Sequence, residues 1–477
     1  MKNKLNNKNF YFLIFFLFLA SIFLAKNNLS KYDKNIIASD GEIQHIMIKN
    51  DVRRYFSHGY EIKEQIKNGD NFFKTGQPNF TKYLFPRIIA AYYLIFDIDL
   101  YSIDEAQNKI INLGVHSKYI FFQIFLYYSC LIFFYSQLKN ILDRNILFFI
   151  ILFLGIEPTL FQYHSSFWSE SIFFSILIIL FGLVINNTQS KKRYFFIGLF
   201  LGLLAIQRSN GFFYILPIII YFYITNRYKI DKKFFFTFFG YSLVLLFVSY
   251  NNFVRSNTLS VLPSEMKAVL HAYVLPNILS AKVLEEEKKL TISLINNEKI
   301  ILDKKNLDDF PYSRYSFIFC DVKKEDPRYL NICNYLEKRS YKLIFLNSDT
   351  VFFYWVKKSF HFGLLNPFHI YSDHQFLSPK KYYGSDLHQK LIPYRIVYSL
   401  IIYSVCFIGF FKVLKLKDKK IFYFLLSSIL YFFLILSWHG NTRYFSPILI
   451  YLSFFFSFGA VNIYKFIKSK NKYKKLI

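Results

Sequence analysis

The sequence predicts an all-α polytopic membrane protein with about ten transmembrane helices and both termini in the cytosol (N-in/C-in). Two large outer-face loops, which include interfacial helices, complete the expected plan. Three observations predict it. The chain has 477 residues, of which 54% are hydrophobic and 22% aromatic. The apolar residues gather in about ten runs, most of them long enough to cross a hydrocarbon core of about 30 Å. The basic residues are divided unevenly between the links that join those runs. A soluble enzyme, a secreted disulfide scaffold and a disordered tail protein are excluded.

The apolar runs fall at 10–25, 119–138, 145–162, 168–186, 194–207, 211–226, 234–250, 393–413, 421–438 and 445–467. The first follows Lys2, Lys4 and Lys8 and offers only Leu24-Ala25 as a weak cleavage site, so it reads as an uncleaved anchor. With the N-terminus inside, the segments 1–9, 139–144, 187–193, 227–233, 412–420 and 465–477 are cytosolic. They hold 23 Lys or Arg against Asp143, Asp231 and Asp418. The short outer links 163–167, 208–210 and 439–444 hold only Arg208 and Arg443. Inverting the topology would reverse this asymmetry.

The expected organisation is an N-terminal bundle over 1–250 with a first outer loop at 26–118. A large outer loop follows over 251–392, and the last helices occupy 393–477. The loops are close to balanced in charge, with 13 basic against 11 acidic residues in the first and 20 against 15 in the second. These are folded outer segments. The net charge of +28 rests on Lys-rich composition and on the inner links, so nucleic acid is not an expected partner. That composition suggests a bacterial inner membrane with the periplasm outside. All ten histidines lie outside the cytosolic segments, so the polar chemistry faces outward. Cys130 and Cys406 lie in apolar runs and read as core residues. Cys320 and Cys333 share the second outer loop, where an oxidising compartment permits a bridge. No Walker loop, dinucleotide fingerprint or CxxC pair occurs.

Charges within or at the ends of spans are costly and therefore informative. Glu157, Glu170, Arg208, Arg395 and Arg443 are of this kind, all toward the outer face. Glu170, in His164-Ser165-Ser166-Phe167-Trp168-Ser169-Glu170, either caps a helix through its dipole or lines an outward cavity. Arg208 and Arg443 either reach to headgroups or hold a phosphate as bidentate forks. In the first outer loop Asp51 and Tyr55 share a helical face, and Tyr83 to Tyr92 suits a helix lying in the interface. An acid above such a platform can serve as general base. Asp97-Ile98-Asp99 is a DxD, weak as a metal signal. His361, His369, Asp373, His374 and His388 match no trusted ligand spacing, so neither metal nor cofactor is expected.

The order of these features resembles the GT-C superfamily of integral-membrane glycosyltransferases, in the branch of the protein O-mannosyltransferases and the lipid A aminoarabinose transferase. Asp51 to Tyr55 with Ile62 to Gly69 looks like the family's "D…Y…A…G" loop, and Pro86 to Phe96 looks like its interface helix. Phe167 to Phe174 is similar to "LSExLF". Gly198 to Gly211 resembles "GxLxGLAxLxRPxG", although Ser209 follows Arg208 where the family has Pro. Arg443-Tyr444 with Pro447 resembles "RYxxPxxP".

The resemblance implies a polyprenyl-phosphate-linked sugar donor and inverting transfer at the outer face to a lipid, glycan or protein acceptor. Asp51 is then the catalytic base, with Asp40 the alternative, and Glu170 lines the site. Arg443 and Arg208 bind the carrier phosphate, while Tyr55, His164, His439 and Tyr444 are the expected pocket walls. An O-antigen polymerase or ligase, or a lipid-linked glycan transporter, is the rival expectation.

Overall fold

The computed structural model describes residues 7–31, 35–37, 43–45, 51–76, 83–100, 102–103, 109–110, 113–164, 166–186, 190–226, 229, 231–256, 259, 261, 271, 274–298, 327–365, 386–416, 419–436 and 442–474. Helices dominate, as expected. The only strands among the described residues form two short antiparallel ribbons. One pairs β1 (Asn35–Ile37) with β2 (Ile43–His45), the other β3 (Ser102–Ile103) with β4 (Lys109–Ile110).

In chain order the N-terminal helices are α1 (Asn7–Lys31), α2 (Asp51–Lys67), α3 (Leu84–Phe96), α4 (Leu113–Leu138), α5 (Arg144–Ile156), α6 (Pro158–His164), α7 (Glu170–Ile185), α8 (Lys191–Gln207), α9 (Ile215–Thr225) and α10 (Lys232–Ser256). Residues 251–392 contribute α11 (Leu275–Ile278), α12 (Ala281–Asn297), α13 (Pro327–Leu346) and α14 (Ser348–Gly363). The chain closes with α15 (Asp386–Leu414), α16 (Lys420–Leu436) and α17 (Thr442–Lys474). Among the described residues the apolar runs singled out in the sequence fall on helices, one of them broken. Among the described residues five helices are long and apolar enough to cross a membrane: residues 9–27, 116–138, 232–255, 391–414 and 445–469.

The run expected at 145–162 is not one continuous helix. It breaks at Glu157, and α5 and α6 meet at a bend of 55°. The cause is local. Pro158 has no N–H to continue the ladder, and the Glu157 carboxylate accepts the Leu160 amide at 2.8 Å. The bent pair counts as a sixth candidate span by composition.

The core is aromatic and continuous through the bundle. Phe10 stacks on Tyr135 at 4.7 Å, and Phe181 meets Phe454 at 4.8 Å. Outward faces carry Phe12, Phe23, Phe235 and Phe407 exposed, as lipid-facing helices require. Glycines set the closest crossings. A methyl group on Gly198 would strike the Thr237 carbonyl where α8 crosses α10, and one on Gly409 would strike the Phe455 carbonyl where α15 crosses α17. Small residues allow backbones to meet where apolar burial between helices supplies no drive.

α2 and α3 pack onto this bundle. α2 lies along α3, with Tyr55 edge-on to Phe85 at 5.6 Å. α3 ends at Asp97, which adopts the left-handed conformation (φ 48°) and turns the chain back toward α2. Cys130 and Cys406 are buried and free, and Cys333 is disulfide-bonded; Cys320 lies outside the described residues.

Candidate functional site

The turn between α6 and α7 is held by side-chain amides from two neighbouring helices. Gln123 of α4 donates to the Ser166 carbonyl at 2.8 Å, and Gln207 at the end of α8 donates to the Ser169 carbonyl at 3.0 Å. This fixes Glu170 as the first residue of α7. Ser169 donates to its Oε2 at 3.3 Å. Its Oε1 forms an ion pair with Arg208 Nη1. Arg208 is the extended residue (φ −153°, ψ 140°) joining α8 to the 3-10 turn Ser209–Tyr214. The pair is buried, with side-chain exposures of 2% for Glu170 and 9% for Arg208. The structure therefore brings together two residues that the sequence offered for separate tasks. Arg208 does not reach out to headgroups; its charge is turned inward onto Glu170.

His164 closes α6 beneath this turn. It is buried, its Nδ1 lies 3.0 Å from Ser171 Oγ, and Tyr127 covers its ring with centroids 3.6 Å apart. It faces packed side chains and so supports the turn. Phe167 meets Phe56 of α2 at 5.3 Å, which ties the Glu170 turn to the α2–α3 platform.

Asp51 is the first residue of α2, one turn before Tyr55. Tyr55 is buried in the α2–α3 seam and does not form an open wall. Arg443 and Tyr444 lie in the first turn of α17. The side chains of Asp51, Arg443 and Tyr444 are outside the described set. So are Asp40 and His439 entirely, and so are the side chains of His361 and His388 and the whole of His369, Asp373 and His374.

The DxD is engaged by lysines. Lys63 donates to Asp99 Oδ1 at 2.7 Å and to the Ile98 carbonyl at 2.9 Å, while Lys67 donates to Asp97 Oδ1 at 2.5 Å. Lys63 and Lys67 stand one turn apart on α2, so the motif clamps α2 to the end of α3. The Lys67 hydrogen bond holds the Asp97 carboxyl below its ordinary range. Among the described residues no cluster of three or more His, Cys, Asp or Glu is placed to hold a metal ion.

Three residues that sequence reasoning passed over gather where α2, α3 and α10 meet. Arg87 of α3 is buried, lies 3.5 Å over the Tyr83 ring, and donates to the carbonyls of Tyr83 and Thr75 (both 3.2 Å) and to Asn251 Oδ1 (3.3 Å). Its Nε has no partner, nor does the buried Nη1 of Arg255, near the end of α10. Arg255 lies within electrostatic range of Arg87 and of Glu61. His58 of α2 completes the cluster. Burial is the main cause that holds it below its ordinary value, Glu61 opposes the shift, and the charges of Arg87 and Arg255 add to it. Burial also brings Arg87 down to about 10. Buried Arg87 and half-buried Arg255, each with an unmatched buried N–H group, face one nearby carboxylate. The signal was legible in part: Arg255 closes an apolar run, and Arg87 interrupts an apolar helix.

This cluster and the Glu170–Arg208 pair are neighbours, because Tyr83 and Ile206 share one small apolar cluster with Val248. Arrayed along the same ends of α4, α7, α8 and α10 are thus an ion pair, a pair of arginines with unmatched N–H groups, and a helix that begins at Asp51. Comparison with protein-family models, curated proteins and solved structures finds no match to this chain.

Proposed function

We propose that the protein is a membrane glycosyltransferase that moves a sugar from a polyprenyl-phosphate donor to an acceptor at the outer face. In this reading the chain crosses the membrane about ten times with both termini inside. The observation that carries it is the Arg87–Arg255 pair, whose unmatched N–H groups lie where α2, α3 and α10 meet. Like charges held together out of water require a counter-charge, and a phosphoryl group supplies one in the fork geometry that arginine prefers. Arg208 is committed to Glu170, so this geometry favours Arg87 and Arg255 over Arg208 for the carrier phosphate. Arg443 keeps the role expected of it as a further contact.

The chemistry is a displacement. A base, Asp51 or Asp40, takes the proton of the acceptor hydroxyl or amine. The acceptor atom attacks the anomeric carbon, and the bond from that carbon to the phosphate oxygen breaks. The carrier phosphate leaves with the electron pair, and the arginines stabilise its charge. Glu170 holds Arg208 and the turn that shapes the site.

A second reading, a lipid-linked glycan transporter, has its own support. Glu157 is a buried acid at a break in a candidate span, and it also accepts the Tyr398 hydroxyl at 2.8 Å. Broken helices with polar groups are what transport sites are built from.

The test is transfer from a panel of radiolabelled polyprenyl-phosphate sugars in membranes, with Arg255→Gln, Asp51→Asn and Arg443→Ala at matched expression. Transfer by wild type and its loss in Arg255→Gln is the expected result. Movement of label across a sealed vesicle without any transfer would replace this reading with the transporter.

A further inference from the structure

Residues 251–392 lie outside every apolar run of the sequence, yet α14 within them carries an exposed aromatic face. Successive residues of a helix are turned by about 100°, so the sides of α14 can be sorted. Val351 and Tyr354 point one way and are buried with Leu275 and Ile278 of α11 and Leu343 of α13. Lys358 belongs to that side and lies over the Tyr354 ring at 5.4 Å. Trp355, Ser359 and Gly363, spaced by four, point toward the bundle. Trp355 meets Phe433 of α16 at 5.5 Å, and Ser359 and Gly363 share a recess with Leu400 and Tyr403 of α15 and Leu452 of α17. Opposite Val351 and Tyr354 stand Phe353 and Phe360, which are 71% and 78% exposed, with part-buried Val356 beside them.

The end of α14 is completed by side chains of α15. The last carbonyls of a helix have no partner within it. Here Tyr403 donates to the Gly363 carbonyl, Arg395 donates to the carbonyls of Leu364 and Leu365 at 3.2 and 3.3 Å, and Ser399 accepts the Leu365 amide at 3.0 Å. Arg395, Ser399 and Tyr403 are four residues apart, so they form one face of α15, a candidate span over 391–414. Backbone groups at membrane depth must be satisfied by protein, and this end is satisfied without water. The surface around it is apolar. Ile396 and Leu400 of α15 and Leu430 and Leu434 of α16 are all exposed, so the free face of α14 continues the apolar faces of its neighbours. The charges keep to its margins. Asp349 is in the first turn, far from the α15 dock. Exposed Lys357 stands on the flank between Phe353 and Tyr354, from which its stem reaches the headgroups.

We propose that α14 is an interfacial helix whose Phe353 and Phe360 enter the hydrocarbon of the bilayer. α11 and α13 cover it from the water side, and the bundle holds it laterally. Its partner is the lipid surface, engaged through apolar burial whatever the headgroup charge. The helix is inclined, with Ser348 at the water edge and Gly363 deeper, against the α15 span. It thereby seats α11 and α13 on the membrane.

The experiment uses the full chain in phosphatidylcholine nanodiscs, with a nitroxide on one introduced cysteine. The variants are Phe353→Cys and Phe360→Cys, with Phe407→Cys on the exposed face of the α15 span and Lys282→Cys on exposed α12 as references. Power saturation measures collision with oxygen, which concentrates in hydrocarbon, and with a water-soluble nickel chelate. The oxygen-to-nickel collision ratio at 353 and 360 should exceed that at 282 at least about fivefold and approach that at 407. The ratio at 360 should be the higher of the two, because that end is deeper. A ratio at 353 and 360 equal to that at 282 places the face in water and overturns the proposal. Protection from both reagents means that protein covers the face and overturns it equally; spin–spin broadening that spin dilution removes would identify a second copy. Wild type treated with the same label gives the background, and a single label per variant chain shows that Cys130 and Cys406 stay buried and the fold is intact. None of these readouts depends on sugar transfer, so the proposal and the glycosyltransferase reading fail separately.

Discussion

Replacing Glu170 by Gln keeps the volume and removes one charge of the Glu170–Arg208 pair. Both side chains are less than one tenth exposed, so water does little to screen the guanidinium that remains. Removing one partner of a buried pair costs about 3–5 kcal/mol, because the other is left buried and unmatched. Replacing both by neutral residues of similar volume removes that penalty, and Glu170→Gln with Arg208→Met should recover to within about 1–2 kcal/mol of wild type. With each single variant costing about 3–5 kcal/mol, the coupling energy of the double-mutant cycle is then about 4 kcal/mol or more. Equilibrium unfolding in mixed micelles, followed by Trp168 fluorescence, measures all four corners. If Glu170→Gln costs under about 1 kcal/mol, or the double variant is no more stable than the single one, the pair is not the buried, mutually dependent unit described here.

Other outcomes follow from the same geometry. Arg255→Gln should cost less than about 1 kcal/mol of stability, since its Nη1 makes no hydrogen bond, yet raise the KM for a polyprenyl-phosphate donor at least tenfold; an unchanged KM refutes the phosphate role. Lys67 holds Asp97 below its ordinary value of 3.8. A depressed carboxylate adds stability above that value and loses it as pH falls further, so protease cleavage at the 96–99 corner should rise below about pH 4 and Lys67→Met should abolish the change. Gly409→Ala drives a methyl into the Phe455 carbonyl and should destabilise by about 1–3 kcal/mol, read as a lower unfolding midpoint. Cys130 and Cys406 are buried, and burial of this kind makes a thiol inert; both should resist a maleimide in the folded protein and react after denaturation.

The helices were legible because lipid-facing and core residues are alike apolar, so the hydropathy of a run marks a helix without any need to find its buried face. The break at Glu157 was not, although Glu157 had been singled out and Pro158 stood beside it; an acid capping its own turn is a matter of rotamer. Glu170 and Arg208 were both picked out as unaffordable charges, and that signal was sound. Their pairing could not be read, because α7 and α8 bring them together through packing that has no trace in local spacing. The same holds for Arg87 and Arg255, which belong to α3 and the far end of α10. The DxD is the converse case. Its pattern was only a weak metal signal, and the charges that meet it are two lysines one turn apart on a helix whose position only the fold supplies.

The glycine crossings bear on how such a chain changes over time. At Gly198 and Gly409 the neighbour across the gap is main-chain carbonyl, which no compensating side-chain change can move aside. The aromatic exterior is under no such constraint, since one large apolar group facing lipid serves as well as another. Drift should therefore erase most of the surface while leaving a sparse set of small residues fixed at their separations. Distant kin of this chain would be found by the spacing of those small residues before they were found by any resemblance of composition.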